Sequence, residues 1–241
     1  MSSMKLEGKT AVITGSSGQL GSQIALALAR AGCNCICHYH SNQTAVQNLT
    51  KKITDIGQKA LAVKADLTSD KQVDKMFRQI ADFAKPDILI NSASIFSRQP
   101  LKHITSEDAR KMLDINLTAA IILSKKIVEL TDAGKIINIS DIAAIRPWAD
   151  YTIYCASKAG LNAATKAMAK ELAPDFCVNA IALGIVNWAK NISEDEKKRQ
   201  LSFIPASRLP KPNEITQAVI FLLKNDYITG QILNVDGGRC I

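Results

Sequence analysis

No apolar run in this 241-residue chain approaches the roughly 20 residues needed to cross a bilayer. The opening stretch from Met1 to Lys9 has no apolar core of the kind a secretory leader carries. A cytoplasmic protein is therefore the expectation. Internal repeats, low-complexity stretches and linkers are also missing, which leaves one folding unit over 1–241. Acidic residues are absent from the whole stretch between Glu7 and Asp55, a gap that bears on cofactor choice below.

A net charge of +8 raises the question of nucleic acid. The basic residues are scattered among acids, however, and Lys197-Lys198-Arg199 directly follows Glu194-Asp195-Glu196. That is the pattern of a solvated helix face, so neither nucleic acid nor membrane is expected as a partner. Part of the excess can attract an anionic cofactor. Six cysteines invite a metal or disulfide reading. Cys33, Cys35 and Cys37 alternate along an apparent strand and share one face, while His38 and His40 take the other. Those groups do not converge, so buried thiols and no metal site are expected.

Short apolar runs alternate with helical patterns. Strands are expected at 10–14, 33–39, 60–64, 87–91, 135–140, 178–183 and 231–235. Helices are expected at 21–31, 44–56, 70–84, 106–132, 152–173 and 213–224. Such alternation predicts an α/β fold, a single-domain, Rossmann-type, doubly wound parallel sheet with helices on both faces. The least regular stretch, 184–212, holds three prolines and a charged cluster, and reads as a substrate loop.

Thr14-Gly-Ser-Ser-Gly-Gln-Leu-Gly21 lies between the first strand and the first helix. Glycines there allow a tight turn and let a pyrophosphate approach the helix N-terminus, so Gly15, Ser17, Gln19, Leu20 and Gly21 are cofactor candidates. A carboxylate at the end of the second strand would hold a ribose 2′-hydroxyl. Here that strand ends in His40-Ser41-Asn42, which can donate hydrogen bonds to a 2′-phosphate. NADP(H) is the expected cofactor, although no Arg stands there. Asp66 is placed to meet the adenine ring or to precede a helix as a cap.

Tyr154 and Lys158, four residues apart, share one helical face after the fifth strand. That spacing predicts an ammonium lowering the phenol's pKa, so that the phenol gives a proton as hydride arrives.

Thr-Gly-x-x-x-x-x-Gly, Asp66-Leu67, Asn91-Ser-Ala-Ser94, Asn116, Tyr154-x-x-x-Lys158 and Asp236-Gly-Gly238 stand in one order. Over nearly its whole length the chain resembles the short-chain dehydrogenases/reductases. The resemblance implies Tyr154 as general acid, Lys158 as its activator and ribose ligand, and Asn116 as a helix-kinking anchor for a relay water. It also implies cofactor contacts from Leu67, Asn91, Ser92, Ala93 and Gly184. A homotetramer paired through the helices of Asn116 and Tyr154 is implied as well, with Ala156, Ala159, Gly160, Ala163, Ala164 and Ala167 permitting close contact.

The departures matter more. Asp141 stands thirteen residues before Tyr154, where the family usually has its catalytic Ser. With Ser94, Phe96 and Tyr151-Thr-Ile-Tyr154, it is similar to the pteridine reductases, whose Asp-Tyr-Lys set is catalytic. By that match Phe96 stacks on the substrate and Ser94 bonds substrate or cofactor. Gln19 departs from it, standing where those enzymes carry an Arg. The leading expectation is hydride transfer from NADPH to a C=N bond of a pterin-like heterocycle. The alternative is a carbonyl reductase of the 3-oxoacyl carrier-protein type, which Lys5-Leu-Glu-Gly-Lys9 and Arg208-Leu-Pro-Lys-Pro212 favour. A non-catalytic NADP sensor is a third reading, opposed by the intact Tyr154, Lys158 and Asn116.

Overall fold

A computed structural model describes residues 4–188 and 192–241. Seven parallel strands form one sheet: β1 (Thr10–Ile13), β2 (Asn34–Tyr39), β3 (Ala60–Lys64), β4 (Ile88–Asn91), β5 (Gly134–Asp141), β6 (Phe176–Leu183) and β7 (Ile232–Val235). Their spatial order is β3-β2-β1-β4-β5-β6-β7. The chain winds outward in one direction from β1 to β3, then in the other from β4 to β7. The switch between β1 and β4 opens a crevice at the carboxyl ends of the strands.

Each central strand feeds two cores by alternation. Ala11 and Ile13 of β1, Cys35 and Cys37 of β2, and Ile88 and Ile90 of β4 point to one face. Helices α1 (Gln19–Arg30), α2 (Gln43–Asp55) and α8 (Pro212–Lys224) cover it with Ile24, Leu28, Leu49 and Val219. Val12, Ile36 and Leu89 point to the other face. There α3 (Asp70–Phe83), α5 (Ala119–Leu130) and α6 (Thr152–Glu171) contribute Met76, Ile80, Leu123, Ile127 and Ala169. Burial on both faces explains why the strands read as unbroken apolar runs.

Two elements differ from the sequence reading. The helix expected over 106–132 is α4 (Ser106–Leu113), a π turn over Asp114–Thr118 and then α5. A π turn inserts one residue into the helical ladder, a feature frequent at functional sites. Within the expected loop 184–212 lies a helix, α7 (Glu194–Ser202). Ser193 caps it by accepting from Glu196 N at 3.2 Å, with three acids in its first turn and Arg199 in its last. The Ser-x-x-Glu spacing and that charge gradient were legible, but without an apolar stripe they read as surface charge. Among the described residues no helix is long and apolar enough to cross a membrane.

Candidate active site

The turn between β1 and α1 is closed from two sides. Gly15 has φ +66°, and a Cβ there would fall 2.9 Å from Ala93 Cα. A Cβ on Gly21 would fall 2.5 Å from the Gly15 carbonyl oxygen. Both positions therefore exclude side chains, which leaves room for a group approaching the backbone at the α1 N-terminus. Thr14 Oγ1 accepts from Ser92 N and Ala93 N, each at 2.9 Å, and so ties this turn to the end of β4.

His38 supports the turn from beneath. Its Nδ1 accepts from Gly15 N at 3.2 Å, and its Nε2 lies 3.0 Å from the Ala65 carbonyl. Those partners require Nδ1 bare and Nε2 protonated, a neutral ring. Burial pushes its pKa down to about 4. Strand alternation gave no hint of this role.

Above the turn opens a cavity of about 570 Å³. Gly15, Ser17, Gln19, Leu20 and Gly21 line one side; His40, Asp66 and Leu67 line another. Ser92, Ala93, Ser94 and Gly184 complete the wall, with Asp141, Tyr154 and Lys158 at its inner end. Ser41 and Asn42 do not line it, and Asn42 caps α2 by accepting from Ala45 N at 3.1 Å. Asp66 is not the cap of α3; its Oδ1 accepts from Thr68 N at 2.9 Å and Thr68 Oγ1 at 2.8 Å. The Asn91 side chain points into the core instead, where Nδ2 donates to Asn138 Oδ1 at 2.9 Å. Gln19 pairs with Asn187 across the cavity, Asn187 Nδ2 donating to Gln19 Oε1 at 2.9 Å.

At the inner end, Tyr154 Oη donates to Asp141 Oδ2 at 2.9 Å. Asp141 is the last residue of β5, and its Oδ1 accepts from Ala143 N at 2.7 Å, which fixes the carboxyl. Burial raises the Asp141 pKa, against the pull of Ala143 N, Tyr154 and Lys158. Burial, and after it the Asp141 charge and hydrogen bond, push the Tyr154 phenol well above its ordinary value. Lys158 Nζ donates to the Ile139 carbonyl at 2.9 Å and lies 5.9 Å from the Tyr154 ring centre. Its own pKa falls to about 8 because it is buried. The expected lowering of the phenol by the ammonium is thus corrected: here the phenol is raised and firmly holds its proton.

Asn116 sits in the π turn, buried, away from the cavity wall. Phe96 is 58% exposed, so it is not a core aromatic. It stacks on Tyr151 (centroids 5.0 Å, planes 18° apart) and meets Tyr154 edge-on at 4.8 Å. With Trp148 these rings wall a second cavity of about 470 Å³, which shares Asp141, Tyr154, Gly184, Val186 and Asn187 with the first. The two cavities meet along these five residues. That is the layout for a cofactor in one chamber and a substrate in the other.

Residues 15–239 match the family model described as enoyl-(acyl carrier protein) reductase. The chain belongs to the short-chain dehydrogenase/reductase family and is a nicotinamide-dependent oxidoreductase. It is 34% identical, over 97% of each chain, to a 3-oxoacyl-[acyl-carrier-protein] reductase of Synechocystis sp.. It is also 34% identical to galactitol 2-dehydrogenase of Agrobacterium fabrum, covering 98% of this chain and 99% of that one. Among solved structures it superimposes on a blue fluorescent protein from a metagenomic library in complex with NADPH. That likeness has a TM-score of 0.92 at 29% identity, covering 99% and 100% of the two chains.

Proposed function

We propose that this protein uses NADPH to reduce a carbonyl group, with Tyr154 supplying the proton and Asp141 and Lys158 completing the catalytic set. The observation that carries the reading is Tyr154, which lines both cavities and whose hydroxyl donates to Asp141 at 2.9 Å. When bound, NADPH would supply the hydride. As the carbonyl oxygen gains charge, the phenol is the donor within reach. Burial raises the Asp141 pKa and so works against the negative charge that would repel that oxygen. Relatives named for 3-oxoacyl and polyol substrates support carbonyl chemistry over the pterin expectation.

In the cofactor chamber, the Gly15–Gly21 turn and the α1 N-terminus would hold the pyrophosphate, with Ser17 beside it. His40 at the chamber wall, and Ser41 and Asn42 beyond it, would favour a 2′-phosphate, since the chain itself carries no acidic residue between Glu7 and Asp55. Asp66 and Leu67 would meet the adenine, and Lys158 the ribose. Exposed Ala156, Ala159 and Ala163 on α6 support pairing of copies in a homotetramer.

A second reading, hydride transfer to a C=N bond in a flat heterocycle, is favoured by the ring wall of Phe96, Tyr151 and Trp148. NADPH oxidation with an acetoacetyl thioester and with a dihydropteridine separates the two. Turnover of the thioester supports carbonyl reduction. Turnover of the dihydropteridine alone, lost on Asp141→Ser, supports the second reading. Cofactor binding with no turnover on either defeats both.

A further inference from the structure

The chain after β7 is tightly held. Asp236 Oδ1 accepts from Gly238 N at 3.0 Å and Oδ2 from Cys240 N at 2.9 Å. Arg146 Nη1 donates to the Arg239 carbonyl at 3.0 Å. This clamped tail carries the Arg239 side chain to the wall of the 470 Å³ cavity that also contains Asp141 and Tyr154. Sequence reading passed over Arg239, because an Arg near a terminus looks like surface charge.

Its hydrogen bonding is incomplete. Arg239 Nη2 donates to Gln200 Oε1 of α7 at 2.6 Å. Nη1 is buried and finds no acceptor among the described residues. No carboxylate among those residues forms an ion pair with it. A buried guanidinium donor with no acceptor is costly; burial and the Arg146 charge act against the Arg239 cation, and the Asp141 carboxylate across the cavity acts in its favour. The planar fork of a guanidinium at this wall matches the geometry of a carboxylate or phosphate.

We propose that Arg239 recognises an oxyanion group, carboxylate or phosphate, on the substrate, and so selects anionic carbonyl compounds. This rests on the reading of the 470 Å³ cavity as the substrate chamber. Arg239 is a specificity-determining residue in this scheme and takes no part in proton transfer. Gln200 orients the fork by holding its other terminal nitrogen.

Trp148 and Trp188 are the chain's two tryptophans, and both line this cavity. Quenching of their fluorescence therefore reports occupancy without turnover. With NADP⁺ present, the protein is titrated with benzoate, phenyl phosphate and the neutral benzamide. At least one anion is expected to bind about tenfold or more tightly than benzamide, a margin of about 1.4 kcal/mol. The stronger anion identifies the preferred oxyanion. Arg239→Gln should abolish the margin, and Arg239→Lys, which keeps the charge and loses the fork, should weaken it. Equal binding of all three probes overturns the proposal, as does a margin undiminished in Arg239→Lys or in folded Arg239→Gln. A protein that binds benzoate through Arg239 but reduces no ketone would lose the carbonyl reading and keep this one.

Discussion

Asn116 grips the Ile95 peptide from both sides, its Oδ1 accepting from Ile95 N at 2.8 Å and its Nδ2 donating to Ile95 O at 2.9 Å. Nδ2 also donates to Ser157 Oγ on α6 at 3.2 Å. The π turn thus fixes the segment next to Phe96 against the helix that carries Tyr154. Asn116→Ala leaves the Ile95 peptide without these partners, at a cost of about 1–3 kcal/mol. For a chain of this size that lowers Tm by several degrees. The Michaelis constant should rise along with it, because Phe96 loses its anchored neighbour. Calorimetry and steady-state kinetics on the same preparation check both; an unchanged Michaelis constant would leave Asn116 a purely structural residue.

His38 gives stability a pH dependence. An unfolded imidazole titrates near 6.5, whereas burial holds the folded one near 4. Below about 6.5 the unfolded chain binds the proton first. The contribution is therefore complete above that pH and is lost as pH falls towards 4, up to roughly 3 kcal/mol. Chemical denaturation between pH 7 and 4.5 should show the decline, and His38→Gln should flatten it. A mutant that keeps the full slope would assign the loss to other groups.

Lys158 sets a limit on activity at the alkaline side. Burial lowers its pKa to about 8, and Tyr154, pushed upward, stays protonated through that range. Without cofactor bound, the ammonium is lost as pH rises through about 8, and kcat/KM should fall with it. A pH profile flat to 10 would mean that the Lys158 charge is not required.

Cofactor preference is testable at the end of β2. Ser41→Asp places a carboxylate near the 2′-phosphate expected beside His40, setting like charges together. NADPH affinity should drop about tenfold or more while NADH affinity holds or improves. Fluorescence titration of both cofactors reads this directly, and equal loss for the two would point to general damage.

The sheet, the phosphate turn and the Tyr154–Lys158 pair were legible because each depends on local spacing: apolar runs, glycines before a helix, and an i,i+4 pair. What escaped depends on contacts across the chain. His38 finds Gly15 and Ala65 only after β1, β2 and the end of β3 are aligned. Asn91 reads as a site residue, yet its side chain bonds Asn138 on the neighbouring strand. Tyr154 looks tuned by Lys158 from helix spacing alone, but Asp141 at the strand end is the nearer group. Helix α7 lacks the apolar periodicity by which the other helices announce themselves.

The most direct test of proton delivery by Tyr154 is NADPH oxidation with an acetoacetyl thioester, comparing the natural protein with Tyr154→Phe. Removing the hydroxyl deletes the donor and leaves the ring in its place against Phe96. Turnover should fall by about 10²-fold or more, the low end for a proton-transfer group, with NADPH affinity nearly unchanged. A Tyr154→Phe protein that keeps most of its thioester turnover would contradict the assignment.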